Sequence, residues 1–198
     1  MKLRKLFFAA AAVTTLAAAF TSCKKNSDVQ SSTEIATSTV GEFKTDLSKV
    51  ITDNEGNEYQ QVNIHRYSWM TSNLKTNAPE SVATPDGRHY TATAAQNGVC
   101  PEGWFLPSAD AWEDLKEELG HHCNGGEPEG ISKALRCNAW NNGSNASALE
   151  FKPFIRSSYS GFWLTEGAVY IYENGYEFKS MDKIPSNTML AIRCVRNN

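Results

Sequence analysis

The 198-residue chain lacks the short motifs that mark common catalytic and nucleotide-binding sites. It contains no G-x-S-x-G, no H-E-x-x-H, no phosphate-binding loop and no dinucleotide fingerprint. The adjacent carboxylates Glu117 and Glu118 fall in a stretch with helical periodicity, so the solvated face of a helix accounts for them. The sequence therefore predicts a protein that is not an enzyme and needs no cofactor.

Long apolar runs are missing, apart from one stretch at the N-terminus. Residues 1–5 are basic, and an alanine-rich apolar stretch follows that ends near Phe20. About fifteen apolar residues form a helix of roughly 22 Å, whereas the hydrocarbon core of a bilayer is roughly 30 Å thick. A basic start followed by a short apolar core is typical of an export signal, so we predict a cleaved signal and not a membrane span.

The apolar stretch ends at a cysteine. The run Phe20-Thr21-Ser22-Cys23 resembles the bacterial lipobox, in which small residues precede a cysteine that is acylated, for example with palmitate, and becomes the new N-terminus. We therefore predict a lipoprotein signal peptide over residues 1–22 and lipidation of Cys23. Several acyl chains on one cysteine give durable membrane attachment. The alternative is an ordinary signal peptide that leaves Cys23 as a free thiol.

An excess of positive charge is also missing. The formal net charge is −3, and removal of residues 1–22 takes away Lys2, Arg4 and Lys5, which leaves −6. A modestly acidic chain argues against nucleic acid as a partner and against electrostatic binding to anionic lipid. We expect the chain to meet the membrane through its lipid anchor alone.

The segment after Cys23 has few apolar residues. From Lys24 to about Val40 it consists mainly of Lys, Asn, Ser, Thr and Gln. Such a segment buries too little apolar surface to offset its ordering entropy. We predict a flexible tether over residues 23–45 and a single domain over residues 46–198, a length usual for one domain.

Two kinds of secondary-structure signal occur in this domain. The runs Glu58–Ile64 and Tyr67–Met70 are rich in β-formers and predict a hairpin around His65 and Arg66. Several further segments read as short strands: residues 152–156, 162–165, 168–172 and 190–195.

The main predicted helix starts after Pro107. Ser108 is a favourable N-cap, and Gly120 is placed to end the helix. Three acidic residues load the first turn with favourable negative charge: Asp110, Glu113 and Asp114. Three apolar side chains fall on one face: Trp112, Leu115 and Leu119. A second, weaker helix is predicted over residues 131–136. One main helix among short strands indicates the α+β class.

Three separated blocks resemble one known family. They are Trp69-Met70-Thr71-Ser72-Asn73-Leu74, Cys100-Pro101-Glu102-Gly103-Trp104-Phe105-Leu106-Pro107-Ser108, and Arg193-Cys194-Val195-Arg196. A fourth, Gly161-Phe162-Trp163-Leu164-Thr165, fits the same order. Together the blocks resemble the Fibrobacter succinogenes major paralogous domain, which is common in lipoproteins of Bacteroidetes. The resemblance spans about residues 57 to 196.

That family is similar to C-type lectin-like folds, in which a long disulfide joins an early element to the last strand. The resemblance implies a bridge between Cys100 and Cys194, which leaves Cys123 with Cys137. Counting alone leaves the other pairings open. The expected fold is thus a single C-type lectin-like α+β domain with one main helix, short antiparallel strands and two disulfides.

Two groups of residues contain candidate metal ligands. His121-His122-Cys123 with Cys137 offers zinc ligands, but the spacing fits no common zinc pattern. Glu127-Pro128-Glu129 and Trp140-Asn141-Asn142 are faintly similar to the paired calcium motifs of C-type lectins. However, Asn142 stands where an aspartate is needed, because calcium favours several carboxylates. We predict no metal site.

Aromatic residues of the C-terminal third offer flat faces that suit sugar rings: Tyr159, Phe162, Trp163, Tyr170, Tyr172 and Tyr176. We expect Phe162 and Trp163 to lie in the core. No ligand-binding residue is identified by the sequence alone.

The expected function is a lipid-anchored outer-membrane lipoprotein that presents a binding domain for a glycan or an envelope protein. The alternatives are a structural or assembly component of the envelope or a pilus, and a cryptic enzyme. Residues 24–28 lack the acidic run associated with surface export, so the sequence does not distinguish the cell-surface face of the outer membrane from its periplasmic face.

Overall fold

A computed structural model describes residues 43–122, 128–154 and 157–198. The predicted signal peptide, the lipidation site Cys23 and most of the tether lie outside the described residues, as do Cys123 and Glu127. None of the described helices is long and apolar enough to cross a membrane.

The described residues form nine β-strands, three α-helices and a short 3-10 helix. The strands are β1 (Thr45–Thr52), β2 (Glu58–Ile64), β3 (Tyr67–Met70), β4 (Ser81–Thr84), β5 (Gly87–Tyr90), β6 (Ser160–Trp163), β7 (Gly167–Tyr172), β8 (Gly175–Ser180) and β9 (Val195–Asn197). The helices are α1 (Ala92–Gln96), α2 (Ala109–His122) and α3 (Pro128–Leu135), with the 3-10 helix at Met181–Lys183. The predicted α+β class is confirmed, although α2 is one of three helices.

The strands form three antiparallel sheets in the described part of the chain, with orders β1-β2-β3-β9, β4-β5 and β6-β7-β8. The predicted hairpin is confirmed, since β2 pairs with β3 and Ile64 lies opposite Tyr67. His65 adopts φ 48° in the turn, the left-handed conformation that tight hairpins use.

The core divides between the two faces of the sheets. Trp69 and Phe162 belong to a main cluster beneath α2 and α3, whereas their neighbours Met70 and Trp163 belong to a second cluster. Successive strand residues point to opposite faces, so these strands are buried on both sides. The prediction that Phe162 and Trp163 lie in the core is confirmed, because both are fully buried.

Helix α2 follows the predicted pattern except at its end. The Ser108 hydroxyl accepts a hydrogen bond from the Ala111 amide at 3.1 Å, so the predicted N-cap is confirmed. The three apolar residues of the predicted face are buried: Trp112, Leu115 and Leu119. The predicted end at Gly120 is wrong, since α2 continues to His122. Glu118 and His122, one turn apart at 3.0 Å, span the glycine and support the extra turn.

The strand predicted over residues 152–156 is wrong where the structure describes it. Phe151 makes a single bridge with Arg136, and residues 152–154 form no strand. Pro153 has no backbone N–H to donate to a ladder. The strand predicted over residues 190–195 is reduced to bridges at Leu190 and Ala191, followed by β9. The second predicted helix is confirmed as α3, which starts three residues earlier.

One of the two predicted disulfides is confirmed. Cys100 and Cys194 are bridged, with their Cα atoms 5.9 Å apart and a sequence separation of 94. The second bridge is missing from the described residues. Cys137 is a free, partly buried thiol that packs against the main core, and Cys123 lies outside the described residues. A cysteine in that setting behaves as a small apolar side chain.

Candidate functional site

A polar concavity of about 190 Å³ opens on the surface near the C-terminal segment. Arg193 lies at its buried side, and the rest of its lining comes from three segments: Thr71, Ser72, Asn73 and Lys75; Pro85 and Asp86; Glu150 and Lys152. We call it the Arg193 pocket. Ligand sites are concave and orient their ligand through a few precisely placed polar groups.

Backbone hydrogen bonds hold the pocket walls together. The Met70 amide donates to the Cys194 carbonyl at 3.1 Å, and the Leu74 amide donates to the Ile192 carbonyl at 2.9 Å. Segment 71–75 therefore lies directly against the residues that flank Arg193. The Cys100–Cys194 bridge fixes the same place in the chain.

Gly87 brings the β4–β5 turn close to segment 71–75. Its φ is +127°, and an added Cβ would lie 2.9 Å from both the Asn73 Cβ and the Leu74 carbonyl oxygen. Residues other than glycine rarely adopt that backbone conformation, and the space beside Gly87 is too small for a Cβ atom. Glycine thus permits the close approach that places residues 85–86 in the pocket wall.

Arg193 is held by neutral groups. It is 3% exposed, and its Nε donates to Asn73 Oδ1 at 2.6 Å. Its Nη1 donates to the carbonyl oxygens of Leu149 at 2.6 Å and Met70 at 3.3 Å. The guanidinium carbon lies 4.4 Å from the centre of the Phe151 ring. These contacts fix the cation and supply no negative charge.

Among the described residues, no carboxylate lies within 4.0 Å of the Arg193 guanidinium. Burial lowers the pKa of Arg193 to about 9, against the weaker opposing effects of Glu150 and Asp86. The side chain therefore stays charged at neutral pH. A buried charge without an opposite partner is costly, and an anion bound in the pocket would relieve that cost.

The other charges of the pocket are nearer the solvent. Lys152 Nζ lies 3.1 Å from Asp86 Oδ1, while Lys75 and Glu150 line the wall. With Arg193, the lining carries three cations and two carboxylates, a formal charge of +1. The pocket is thus locally positive, whereas the whole chain has a formal net charge of −3.

Asp53 supports the far end of segment 71–75. Its Oδ2 accepts from the Tyr59 hydroxyl and the Thr76 hydroxyl, both at 2.7 Å, and from the Asn57 side chain at 2.9 Å. The Tyr59 hydroxyl in turn accepts from the Lys75 amide at 2.9 Å. Asp53 is thus a positioning residue that holds the pocket wall through Tyr59.

Asp53→Ala is expected to lower the free energy of unfolding by about 1 to 3 kcal/mol at pH 7, because it leaves several donors unsatisfied. Burial raises the pKa of Asp53, but the hydrogen bonds from Thr76, Asn57 and Tyr59 outweigh it and lower the pKa from 3.8 to about 2. Since the folded-state pKa is depressed, the stabilisation is present above pH 3.8 and is lost as the pH falls towards 2.

Urea unfolding of both proteins at pH 7 and pH 2.5 measures this effect. The difference between wild type and Asp53→Ala should shrink at the lower pH. Glu58→Ala, at an exposed position of β2, serves as the control and should change stability little at either pH. A difference that is the same at both pH values would contradict the assignment.

The residues weighed as metal ligands are placed apart from the pocket. His122 Nε2 lies 3.0 Å from Glu118 Oε1 on the same helix. The Asn141 and Trp140 carbonyls accept from Arg136 Nη1. The described residues contain no group of three or more His, Cys, Asp or Glu side chains arranged to hold a metal ion.

The aromatic residues predicted as a sugar platform do not line the Arg193 pocket. Tyr159 lies 5.8 Å from Tyr170 and 6.1 Å from Tyr172 between ring centres, with tilted planes. Tyr176 packs edge-on against Trp112 at 5.2 Å. These rings pack mainly against one another and against the core.

A second depression lies between α2, α3 and β8. It measures about 550 Å³, and its lining includes Lys116, Glu117, His121 and Tyr176. The charged members belong to the solvated face of α2, and Lys116 also lies over the Trp112 ring at 5.9 Å. It contains no buried, unpaired charge comparable to Arg193 among the described residues.

Comparison of the chain with protein-family models, with curated proteins and with solved structures finds no match.

Proposed function

We propose that this chain is a lipid-anchored outer-membrane lipoprotein whose folded domain binds a glycan or an envelope protein without catalysis. The observation that carries the binding function is the Arg193 pocket. There a buried guanidinium, held only by neutral acceptors in the described part of the chain, borders an open polar concavity. Preformed concave sites with fixed polar groups are typical of binding modules.

The family assignment is part of the same proposal. The Cys100–Cys194 bridge joins the start of the Cys-Pro block to the segment before the last strand, which is the arrangement that the resemblance implied. The α+β architecture with antiparallel sheets is compatible with a C-type lectin-like fold. A fold likeness assigns no ligand, so the ligand is argued from the pocket itself.

The chemistry of the lining favours binding over catalysis. Thr71 and Ser72 supply hydroxyls, but among the described residues neither hydroxyl is hydrogen-bonded to a carboxylate, lysine or histidine that would serve as its base, and Thr71 donates to the Gln60 carbonyl instead. Nucleophilic catalysis needs a base within hydrogen-bond reach of the nucleophile. The pocket instead presents fixed donors and acceptors, which suits recognition of a polar ligand.

An array carrying neutral glycans, acidic glycans and extracted envelope proteins tests the binding function. The full chain, solubilised in detergent, is expected to bind a subset of the spots. Lys152→Gln, in the pocket, should weaken binding at least tenfold, whereas Lys183→Gln, an exposed lysine of the 3-10 helix, should leave it unchanged. A chain that binds no spot, or a Lys152→Gln variant that binds as well as wild type, would contradict the proposal.

A structural role in envelope or pilus assembly is the second candidate, and the free edge of β1 favours it. In the described residues β1 pairs only with β2, and Leu47 and Val50 are 70% and 55% exposed. Exposed edge strands can pair with a strand of another protein. Leu47→Lys should then reduce co-purification of envelope proteins while it leaves binding to the glycan spots of the array intact. Unchanged co-purification would count against this role.

Cys23→Ala is expected to move the protein from the detergent phase to the aqueous phase in a detergent phase separation. The N-terminal apolar stretch is too short to hold the chain in a bilayer, so the acyl chains provide the attachment. Cys137→Ala, which removes a free thiol of the folded domain, should stay in the detergent phase with wild type. Retention of Cys23→Ala in the detergent phase would refute the anchor.

Protease treatment of intact cells shows which face of the outer membrane carries the protein. A protein displayed at the surface is cleaved within the tether over residues 23–45. A protein on the periplasmic face is protected until the cells are lysed.

A further inference from the structure

We propose that the Arg193 pocket receives the carboxylate of an acidic sugar, a residue of the uronic acid type. The inference rests on the proposed binding function and names the class of ligand. Arg193, Lys75 and Lys152 hold the carboxylate, and the two carboxylates of the pocket accept hydrogen bonds from the sugar hydroxyls.

The Arg193 guanidinium is the feature that indicates an anionic ligand. Its Nε and Nη1 groups are occupied by neutral oxygens, and no described residue accepts a hydrogen bond from Nη2. No described carboxylate pairs with the guanidinium within 4.0 Å. A ligand carboxylate supplies the missing negative charge. Planar guanidinium groups bind planar carboxylates with favourable geometry.

The charge of the pocket favours an anion with a single charge. Three cations and two carboxylates leave one excess positive charge, which one carboxylate neutralises. Inorganic phosphate carries more negative charge near neutral pH, and Asp86 and Glu150 would repel it. The pocket thus selects a weakly charged ligand.

Asp86 and Glu150 also explain why a sugar fits better than a simple carboxylate. Ionised carboxylates only accept hydrogen bonds, and sugar hydroxyls donate them. The hydroxyls of Thr71 and Ser72 and the amide of Asn73 add further polar partners. A ligand that carries one carboxylate and several hydroxyls therefore matches both halves of the lining.

Lys152 can turn towards the ligand. Its contact with Asp86 is exposed, with the lysine side chain 53% and the aspartate side chain 36% accessible. Exposed ion pairs are weak, so the ligand carboxylate competes with Asp86 for the ammonium group. Release of Asp86 then frees its oxygens for a hydroxyl.

The pocket size and lining also favour recognition of one sugar unit by charge. Its volume of about 190 Å³ lies below the roughly 300 to 1,000 Å³ of pockets that enclose a drug-sized ligand. None of the described lining residues is aromatic, so a neutral sugar ring finds no stacking face there. The Phe151 ring is already covered by the Arg193 guanidinium.

Calorimetric titration of the full chain in detergent tests the ligand class with four probes: D-glucuronate, D-glucose, acetate and inorganic phosphate. D-Glucuronate is expected to bind at least tenfold more tightly than each of the others. Equal binding of D-glucose would overturn the role of the carboxylate. Equal binding of acetate or phosphate would overturn the role of the sugar hydroxyls, and absence of D-glucuronate binding would overturn the inference.

Variants place the binding in the pocket. Lys75→Gln and Lys152→Gln should each weaken D-glucuronate binding at least fivefold, and Lys183→Gln should leave it unchanged. Arg193→Lys should weaken it at least tenfold, because an ammonium group lacks the planar fork. Arg193 also holds Asn73 and Leu149, so the two lysine variants carry the test if Arg193→Lys does not fold.

The array separates failure of this inference from failure of the proposed function. Array binding to neutral glycans or envelope proteins that Lys152→Gln abolishes, without D-glucuronate binding, would refute the acidic-sugar inference alone. Absence of binding in both experiments would refute both.

Discussion

Trp112→Ala is expected to lower the free energy of unfolding by about 3 to 5 kcal/mol, as large aromatic truncations in cores do. Trp112 is 1% exposed, and its ring packs edge-on against Phe162 at 5.9 Å and Tyr176 at 5.2 Å. It thus connects α2 to both β6 and β8. Removal of the ring leaves a cavity that these elements share.

Urea unfolding of the full chain measures this loss. Glu117→Ala provides the matched control, since Glu117 is an exposed residue of α2 that forms no ion pair with a described residue. The control should change stability by less than about 0.5 kcal/mol, the usual range for surface positions. A loss below about 1 kcal/mol for Trp112→Ala would show that α2 does not pack on the core as described.

Removal of the Cys100–Cys194 bridge, by replacing both cysteines with alanine, is expected to cost about 4 to 5 kcal/mol. The bridge closes a loop with a sequence separation of 94, and long loops lose the most entropy on cross-linking of the unfolded chain. Cys194 is also fully buried in the second core cluster. The unfolding midpoint should fall markedly, and the C-terminal segment should become sensitive to protease.

Cys137→Ala is the control for this experiment, because Cys137 is a free thiol in the structure. Its expected cost is below about 1 kcal/mol, since alanine is only slightly smaller. Non-reducing peptide mapping provides the direct test of the pairing. A fragment that joins Cys100 to Cys123 or Cys137 would contradict it, whereas a fragment that joins Cys123 to Cys137 would restore the second predicted bridge.

Local signals in the sequence predicted the elements that carry their own pattern. Ser108 and the spacing of Trp112, Leu115 and Leu119 predicted the start and the buried face of α2. The alternation around His65 predicted the β2–β3 hairpin. Both elements are decided by neighbours along the chain, which a sequence displays directly.

Elements decided by distant contacts were missed or misplaced. No clear pattern in the sequence predicts β1, whose register with β2 shifts between Asp46 and Ile51. The sequence also indicates no strands at β4 and β5, which pair with each other and, through a bridge at Tyr90, with Leu190. Gly120 predicts a helix end, but the contact between Glu118 and His122 on either side of it extends α2 to His122.

Asp114 shows the same limit for a single residue. The sequence placed it among the acidic residues at the start of α2, where charge favours the helix. In the structure it is buried, and its Oδ1 lies 2.5 Å from Arg66 Nε and 2.8 Å from His65 Nδ1. Asp114 therefore connects α2 to the β2–β3 turn, a contact between residues far apart in sequence.

The candidate site left one trace in the sequence. Arg193 directly follows the apolar run Leu190-Ala191-Ile192. A cation next to a buried segment indicates either a functional role or an ion pair. The fold brings Asn73 and Leu149 to Arg193, and their neutral oxygens hold it in place of a carboxylate. The sequence does not show these contacts. The pocket was therefore beyond sequence reasoning, although Arg193 was not.

The most direct test of the account is to map where an acidic sugar binds. Backbone amide shifts of the isotope-labelled full chain, recorded in detergent during titration with D-glucuronate, report every residue near the ligand. Shifts are expected to concentrate in residues 71–75 and 150–152 and at Asp86 and Arg193. Shifts confined to the depression around Lys116 and Tyr176, or no shifts at all, would contradict it.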